Sequence, residues 1–464
     1  MSSLLHRNLR VEPPVAVRGE DIYIYDAGGR RYLDACGGAA VSCLGHSDPD
    51  MAEAIREQLG KLAYSHSSFF TTEAAETAGA ALAAHLPRPL EKVLFVSSGS
   101  EAVEAAVKIA RQYFVEKGEP QRRHIVGRWQ SYHGNTLGAL SAGGNKGRRA
   151  LYEPLLNQSE HISACYAYRG RGHNETDEAY GQRVASELDE LALQLGPGTI
   201  AAFVAETVVG ATLGAVPAVS GYFRAIREIC DRHGILLILD EVMCGLGRTG
   251  SLFAFEQEGI LPDILCIAKG LGAGYQPIAA MVVSQKVHDT IRDGTGAFLH
   301  GHTYQAHPVA CAAAKVAIDK IARPELIAHV ADRGEQLIEG LRQRLAGHRF
   351  VGDIRGRGLF VGIEFVADRE TKAPFAAAAG VNRMVKQAAM ERGLLCYPMG
   401  GTVDGRTGDH VLLAPPFIIS AGEIDDVVGT FSDAVEEALE RASSKSGNTA
   451  RAAVAGARRV VNPA

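Results

Sequence analysis

Lys269 closes the apolar segment Leu265-Cys266-Ile267-Ala268 and is followed by Gly270-Leu271-Gly272-Ala273-Gly274. Desolvation at the end of an apolar strand disfavours the ammonium form, which leaves a nucleophilic amine suited to Schiff-base chemistry. The glycines that follow leave room for a bulky planar group. The plainer reading is a lysine whose stem is buried and whose head snorkels to solvent. Asp240 tips the choice. The run Ile235-Leu-Leu-Ile-Leu-Asp240-Glu241 places two carboxylates at the carboxyl end of a strongly apolar strand, where ligands of open α/β sheets sit. A buried aspartate without a cationic partner is expensive. A protonated pyridine nitrogen is such a partner, and the pairing makes the ring a better electron sink.

Other segments could hold the rest of such a group. Ser97-Ser98-Gly99-Ser100-Glu101-Ala102 joins a strand to a long helix, and small residues there let backbone N–H groups and hydroxyls approach a phosphate. The same residues also read as a simple helix start with Ser100 as the cap. Tyr132-His133-Gly134 sets an aromatic ring beside a glycine, as stacking on a planar ring requires. Glu206 ends the apolar strand Ile200 to Ala205, again at a carboxyl end, and Thr303 offers a hydroxyl to a second phosphate oxygen.

Competing chemistries fit less well. An Asp-Glu pair after an apolar strand also suits a magnesium site of a nucleotide triphosphatase. That chemistry needs G-x-x-x-x-G-K-[ST], and the one Gly-Lys pair, Gly60-Lys61, lacks the spacing and the hydroxyl. Gly245-Leu-Gly247-Arg-Thr-Gly250 matches G-x-G-x-x-G but stands apart from the strand end, so it reads as a tight structural loop rather than a dinucleotide fingerprint. The eight cysteines form no C-x-x-C pair and the 16 histidines no ligand cluster, so no metal is expected and the thiols read as buried. A net charge of −5 without a basic stripe argues against nucleic acid. No apolar run approaches a membrane span and no signal-peptide core is present; a cytoplasmic protein is expected.

These residues require a scaffold of alternating elements. Lys92–Val96, Ile200–Ala205, Gly234–Asp240 and Ile264–Ala268 read as strands, with helices over 100–117 and 220–233. Near-continuous apolar strands alternating with helices predict an α/β fold: a large domain with a mostly parallel sheet covered by helices, plus a smaller α+β domain. The expected division is a segment over 1–60 that joins the small domain, a large domain over 61–325, a C-terminal small domain over 326–442, and a flexible tail over 443–464 rich in Ser, Gly, Ala and Arg.

The ordered set SSGSEA (97–102), YHG (132–134), AETVVG (205–210), DEVMCGLGRTG (240–250), AKGLGAGY (268–275), GHTYQAHP (301–308) and APPF (414–417) resembles the class III pyridoxal-phosphate aminotransferases, from about residue 20 to 440. Lys269 lies 29 residues after Asp240 in that pattern. The resemblance implies the fold type I of pyridoxal-phosphate transferases and a homodimer, or a tetramer of such dimers, with shared active sites. It makes Lys269 the Schiff-base lysine and general base, and pairs Asp240 with the ring nitrogen. It puts Ser98, Gly99 and Ser100 on the phosphate, with His133 and Gly134 also at the cofactor. Tyr132 and Val242 would take the two ring faces, Glu206 would stand near cofactor and substrate, and Thr303 would reach the neighbouring subunit's phosphate. The implied mechanism is ping-pong, with Lys269 moving the proton.

Members acting on ornithine or 4-aminobutyrate carry an arginine two positions before Ala-Pro-Pro; this chain has Leu412 there. The segment Tyr397 to His410 instead resembles the amine:pyruvate (omega) transaminases, with Arg406 near the place of their mobile, carboxylate-binding arginine. The expected reaction transfers an amino group from an amine or omega-amino acid to a keto acid, pyruvate first. The alternatives are a 2-oxoglutarate-dependent amino-acid transaminase, an aminomutase or decarboxylating transaminase, and a non-catalytic cofactor-binding dimer. Ala40 stands where many omega transaminases place a bulky aromatic, so a roomier subpocket is expected there, with Tyr132 and Tyr64 as other walls, the latter expected from the partner subunit.

Overall fold

The computed structural model describes residues 2–459, with side chains as far as Ser443. Seven strands form the central sheet: β1 (Leu90–Val96), β2 (His124–Arg128), β3 (Glu160–Ile162), β4 (Ile200–Glu206), β5 (Leu236–Asp240), β6 (Ile264–Ile267) and β7 (Ala279–Ser284). Their order is β1-β7-β6-β5-β4-β2-β3. All pairs are parallel except those of β7, which runs antiparallel to both neighbours. Every residue of β4, β5, β6 and β7 is buried, because helices cover both faces and leave no face for polar side chains. Register does the positioning. Asp240 pairs with Glu206 on one side and with Cys266 on the other, so the two carboxylates end neighbouring strands at one edge.

Helix α1 (Gly99–Glu116) follows β1 and buries Ala102, Ala105, Ala106, Ile109 and Ala110, the face expected from the sequence. Its cap differs from the expectation. Ser98, in extended conformation, accepts from the Glu101 N–H, and Glu101 Oε2 accepts from the Ser97 N–H at 2.7 Å. Ser100 already lies inside the first turn, so its hydroxyl is released to accept from the Asn135 N–H at 3.0 Å.

Strands Val351–Arg357, Phe360–Phe365, Asp409–Leu413 and Tyr397–Gly400 form a separate antiparallel sheet. The N-terminal strands Ala16–Glu20, Tyr23–Asp26 and Arg31–Asp34 are joined by Leu394–Leu395, so the two ends of the chain share a sheet. The region from Pro308 is helical as read, in two pieces, Pro308–Ile321 and Pro324–Leu345. The closing helix spans Ala421–Arg459. Residues 460–464 of the expected tail lie outside the described residues.

All eight cysteines are free and buried. Among the described residues no helix is long and apolar enough to cross a membrane, and no group of three or more His, Cys, Asp or Glu side chains could hold a metal.

Candidate active site

A cleft of about 560 Å³ opens at the carboxyl edge of β4, β5 and β6. Lys269, Asp240 and Glu206 line it together with Tyr132, His133 and Val242. At one end stand Ser97, Ser98, Gly99 and Ser100, the start of α1, with Gly134 and Asn135 beside them. The first N–H groups of an eighteen-residue helix are thereby turned toward the cleft, an arrangement that attracts an anion.

Two glycines keep that end open. A Cβ on Gly99 would come 2.8 Å from Val242 Cγ1, and one on Gly134 would come 2.7 Å from Ser100 Oγ. Gly134 also has φ +138°, a backbone conformation that side chains disfavour.

Asp240 is buried and doubly held. Its Oδ2 lies 2.8 Å from His133 Nδ1, and its Oδ1 accepts from the Val242 N–H at 3.0 Å. The other imidazole nitrogen of His133 is buried without a partner. Glu206 Oε1 accepts from the Tyr132 N–H at 3.1 Å, while Oε2 has no hydrogen bond and lies 3.6 Å from Arg128 Nη2. Burial raises the Glu206 pKa, against the lowering influence of His133 and Arg128.

Lys269 sits at the cleft floor with φ +47°, a strained conformation for a residue with a side chain. Burial lowers its pKa below that of an ordinary lysine; the Asp240 charge opposes this and Arg7 adds to it. Its amine makes no hydrogen bond or ion pair among the described residues. The cleft thus holds an unengaged, partly desolvated amine, a fixed carboxylate and an anion-attracting helix end.

Glu241, the second carboxylate of the Asp-Glu pair, turns away from the cleft. It accepts from Thr207 Oγ1 at 2.8 Å and from the Ala254 and Phe255 N–H groups at 2.7 Å each. The G-x-G-x-x-G segment is a structural loop, as read. Arg248 within it is buried, donates to the Leu359 and Pro415 carbonyls at 2.9 and 2.6 Å, and stacks 4.4 Å over Phe417.

The cleft gathers the expected cofactor residues Ser98, Gly99, Ser100, Tyr132, His133, Gly134, Glu206, Asp240, Val242 and Lys269. It does not gather Thr303, Tyr64, Ala40 or Arg406 of the same chain. Thr303 is exposed, and its carbonyl accepts from the Tyr64 hydroxyl at 2.9 Å. Ala40 is buried with φ +61°; the kinked backbone over Gly37–Ala40 turns it inward and leaves Ala39 and Val41 at the cleft instead. Arg406 is exposed in the loop that joins Tyr397–Gly400 to Asp409–Leu413. Sequence reasoning missed Arg7, Arg148 and Met243, which line the cleft. Met243 follows Asp240 by three residues and could have been read from that motif, whereas no spacing marks Arg7 and Arg148, which reach the site through the packing of segments distant from Lys269.

Comparison with known proteins agrees with this geometry. The family described as aminotransferase class-III matches residues 6–435. An uncharacterised aminotransferase of Schizosaccharomyces pombe is 45% identical over 91% of this chain and 92% of its own length. A mitochondrial gamma-aminobutyrate transaminase 1 of Oryza sativa subsp. indica is 35% identical over 93% of this chain and 83% of its own. The solved omega transaminase from Pseudomonas jessenii in complex with PMP superposes with a TM-score of 0.89 at 33% identity, covering 96% of this chain and 97% of that one. With a family match across nearly the whole length and a cleft built around Lys269 and Asp240, the chain belongs to the class III aminotransferases.

Proposed function

We propose that this aminotransferase moves an amino group from an amine or omega-amino acid to a keto acid, with pyruvate as the acceptor, using pyridoxal phosphate bound in the cleft. The observation that carries the reading is the unengaged Lys269 amine in one cleft with the His133-held Asp240 carboxylate. The residues present fit the cofactor. The Gly99 and Gly134 cradle would be filled by a Cβ, and His133 and Glu206 each bury a polar atom that lacks a partner.

When bound, pyridoxal phosphate supplies an electron sink next to the substrate's amino-bearing carbon. The chain's own residues do the rest. The α1 N-terminus and the hydroxyls of Ser98 and Ser100 hold the phosphate. Asp240, oriented by His133, would pair with the ring nitrogen, and Tyr132 and Val242 would hold the ring between them. Lys269 is the amine that would hold the cofactor, and its Nζ is the group placed to carry a proton. Thr303 and Tyr64 serve the site of a second copy, which makes the working unit a homodimer, and its location is the cytoplasm.

Leu412 supports an omega-type substrate. It is fully buried among Val208, Ala211 and Cys244, so no arginine clamps an α-carboxylate from that strand. The likeness to the rice gamma-aminobutyrate transaminase supports an omega-amino acid as the donor and leaves 2-oxoglutarate as the second reading for the acceptor. Titration of the purified protein with a panel of amines and omega-amino acids, each paired with pyruvate or 2-oxoglutarate, separates the two. Turnover with pyruvate supports the first reading, turnover with 2-oxoglutarate alone replaces it with the second, and absence of a visible band after added pyridoxal phosphate removes both.

A further inference from the structure

We propose that Arg148 is the residue that anchors the substrate carboxylate in this cleft, an assignment that rests on the reading of a keto acid as the amino acceptor. A carboxylate leaving water for a half-closed cleft needs a cationic partner. The Lys and Arg side chains that line the cleft are Lys269, Arg7 and Arg148. Lys269 is committed to the cofactor. Arg7 is exposed, in an N-terminal stretch without helix or strand. Arg148 is half-buried, with its guanidinium carbon 4.5 Å from the centre of the Tyr132 ring. Its guanidinium makes no ion pair or hydrogen bond with any described residue. The cleft's own carboxylates are engaged elsewhere, Asp240 by His133 and Glu206 by the Tyr132 N–H and nearby Arg128. The guanidinium is therefore available to an incoming anion.

Its support is rigid. Arg148 belongs to the short helix Lys146–Arg149, where Asn145 Oδ1 accepts from the Arg148 N–H at 3.0 Å. The neighbouring Arg149 is buried and donates to the carbonyls of Ser141 and Gly143 at 2.7 and 2.9 Å. Gly147 packs so tightly on the loop over 401–408 that a Cβ there would come 2.2 Å from the Gly405 carbonyl oxygen. A guanidinium stacked on an aromatic face keeps its N–H edge free, and that planar fork matches a carboxylate with two parallel hydrogen bonds. Arg406 meets the same helix through Gly405, yet its side chain is exposed and does not line the cleft. Of the two, Arg148 already stands beside the ring proposed to stack on the cofactor.

The test compares wild type, Arg148→Ala, Arg148→Lys and Arg406→Ala as holoenzymes, with thermal melting to verify folding. Two readouts are used: the ratio of the pyruvate KM to the KM of an amine that lacks a carboxylate, and calorimetric binding of propionate, which carries a carboxylate without the reacting carbonyl. The expected result is a rise of at least tenfold in the KM ratio for Arg148→Ala, a matching loss of propionate affinity, and partial recovery in Arg148→Lys. Wild-type values in Arg148→Ala overturn the assignment, as does a loss confined to Arg406→Ala. If wild type accepts no keto acid at all, the functional reading fails separately. Propionate binding that depends on Arg148 then still supports an anion site, and propionate binding that ignores Arg148 overturns it.

Discussion

His133 Nδ1 stands 2.8 Å from Asp240 Oδ2, with both side chains buried at the carboxyl edge of the central sheet. The imidazole and the Val242 N–H together fix both oxygens of the carboxylate, so its orientation toward the cleft is set before any ligand arrives. In the proposed function that orientation presents a fixed charge to the cofactor's ring nitrogen. Asp240→Asn keeps the shape and removes the charge. The kcat of the amine half-reaction is expected to fall on the order of 10²-fold or more, the scale of one lost preorganised electrostatic contact. A near-normal rate in a folded Asn variant would remove Asp240 from this role.

Lys269→Ala is expected to abolish both turnover and the visible band of the cofactor-linked lysine, because no other cleft lysine can replace its amine. The apoprotein offers a test of the electrostatics. Burial lowers the Lys269 pKa and the Asp240 charge raises it. Acylation of Lys269, followed by mass spectrometry across pH, should begin at lower pH than for surface lysines. In Asp240→Asn it should begin lower still, since the opposing influence is gone.

Gly134→Ala tests the phosphate end. The new methyl would meet Ser100 Oγ at 2.7 Å and Ser100 Cα at 2.8 Å, at a residue with φ +138°. Strain of roughly 1–3 kcal/mol falls on the loop that frames this end of the cleft. Cofactor affinity measured by equilibrium dialysis should drop by about tenfold or more, the equivalent of ~1.4 kcal/mol, while Gly60→Ala, whose Cβ would meet nothing, should leave it unchanged.

Stability should decline on the acid side through His410. This imidazole is buried, lies 2.6 Å from Thr402 Oγ1, and donates from Nε2 to the Ala211 carbonyl at 2.9 Å. Burial, aided by the Arg355 charge, lowers its pKa from 6.5 to about 3. The unfolded chain therefore binds a proton between those values that the folded chain refuses. The His410 contribution is fully present above pH 6.5 and is lost as pH falls toward about 3. Urea unfolding across that window should show a shallower pH dependence for His410→Gln than for wild type; equal slopes would exclude His410 as a source.

The chemistry-bearing core was legible in the linear chain because each part ends or begins a regular element. Apolar strands announced Asp240, Glu206 and Lys269 at their carboxyl ends, and the small-residue turn before an amphipathic helix announced Ser98 to Ser100. Local detail was less legible. Whether Ser98 or Ser100 caps α1 depends on backbone angles two residues apart, and both side chains can cap.

The sequence by itself determined the α/β alternation, the strand-end placement of Lys269 and Asp240, and the resemblance that names the family, since all three are written in periodicity, residue type and spacing. Tertiary structure alone decided how distant segments meet. It set Asp240 against His133, 107 residues away, turned Ala39 and Val41 rather than Ala40 to the cleft, and left Arg406 at the surface while Arg148 stacked on Tyr132. Such contacts follow from sheet register, backbone kinks and helix packing. These are global properties that no local pattern of side chains encodes.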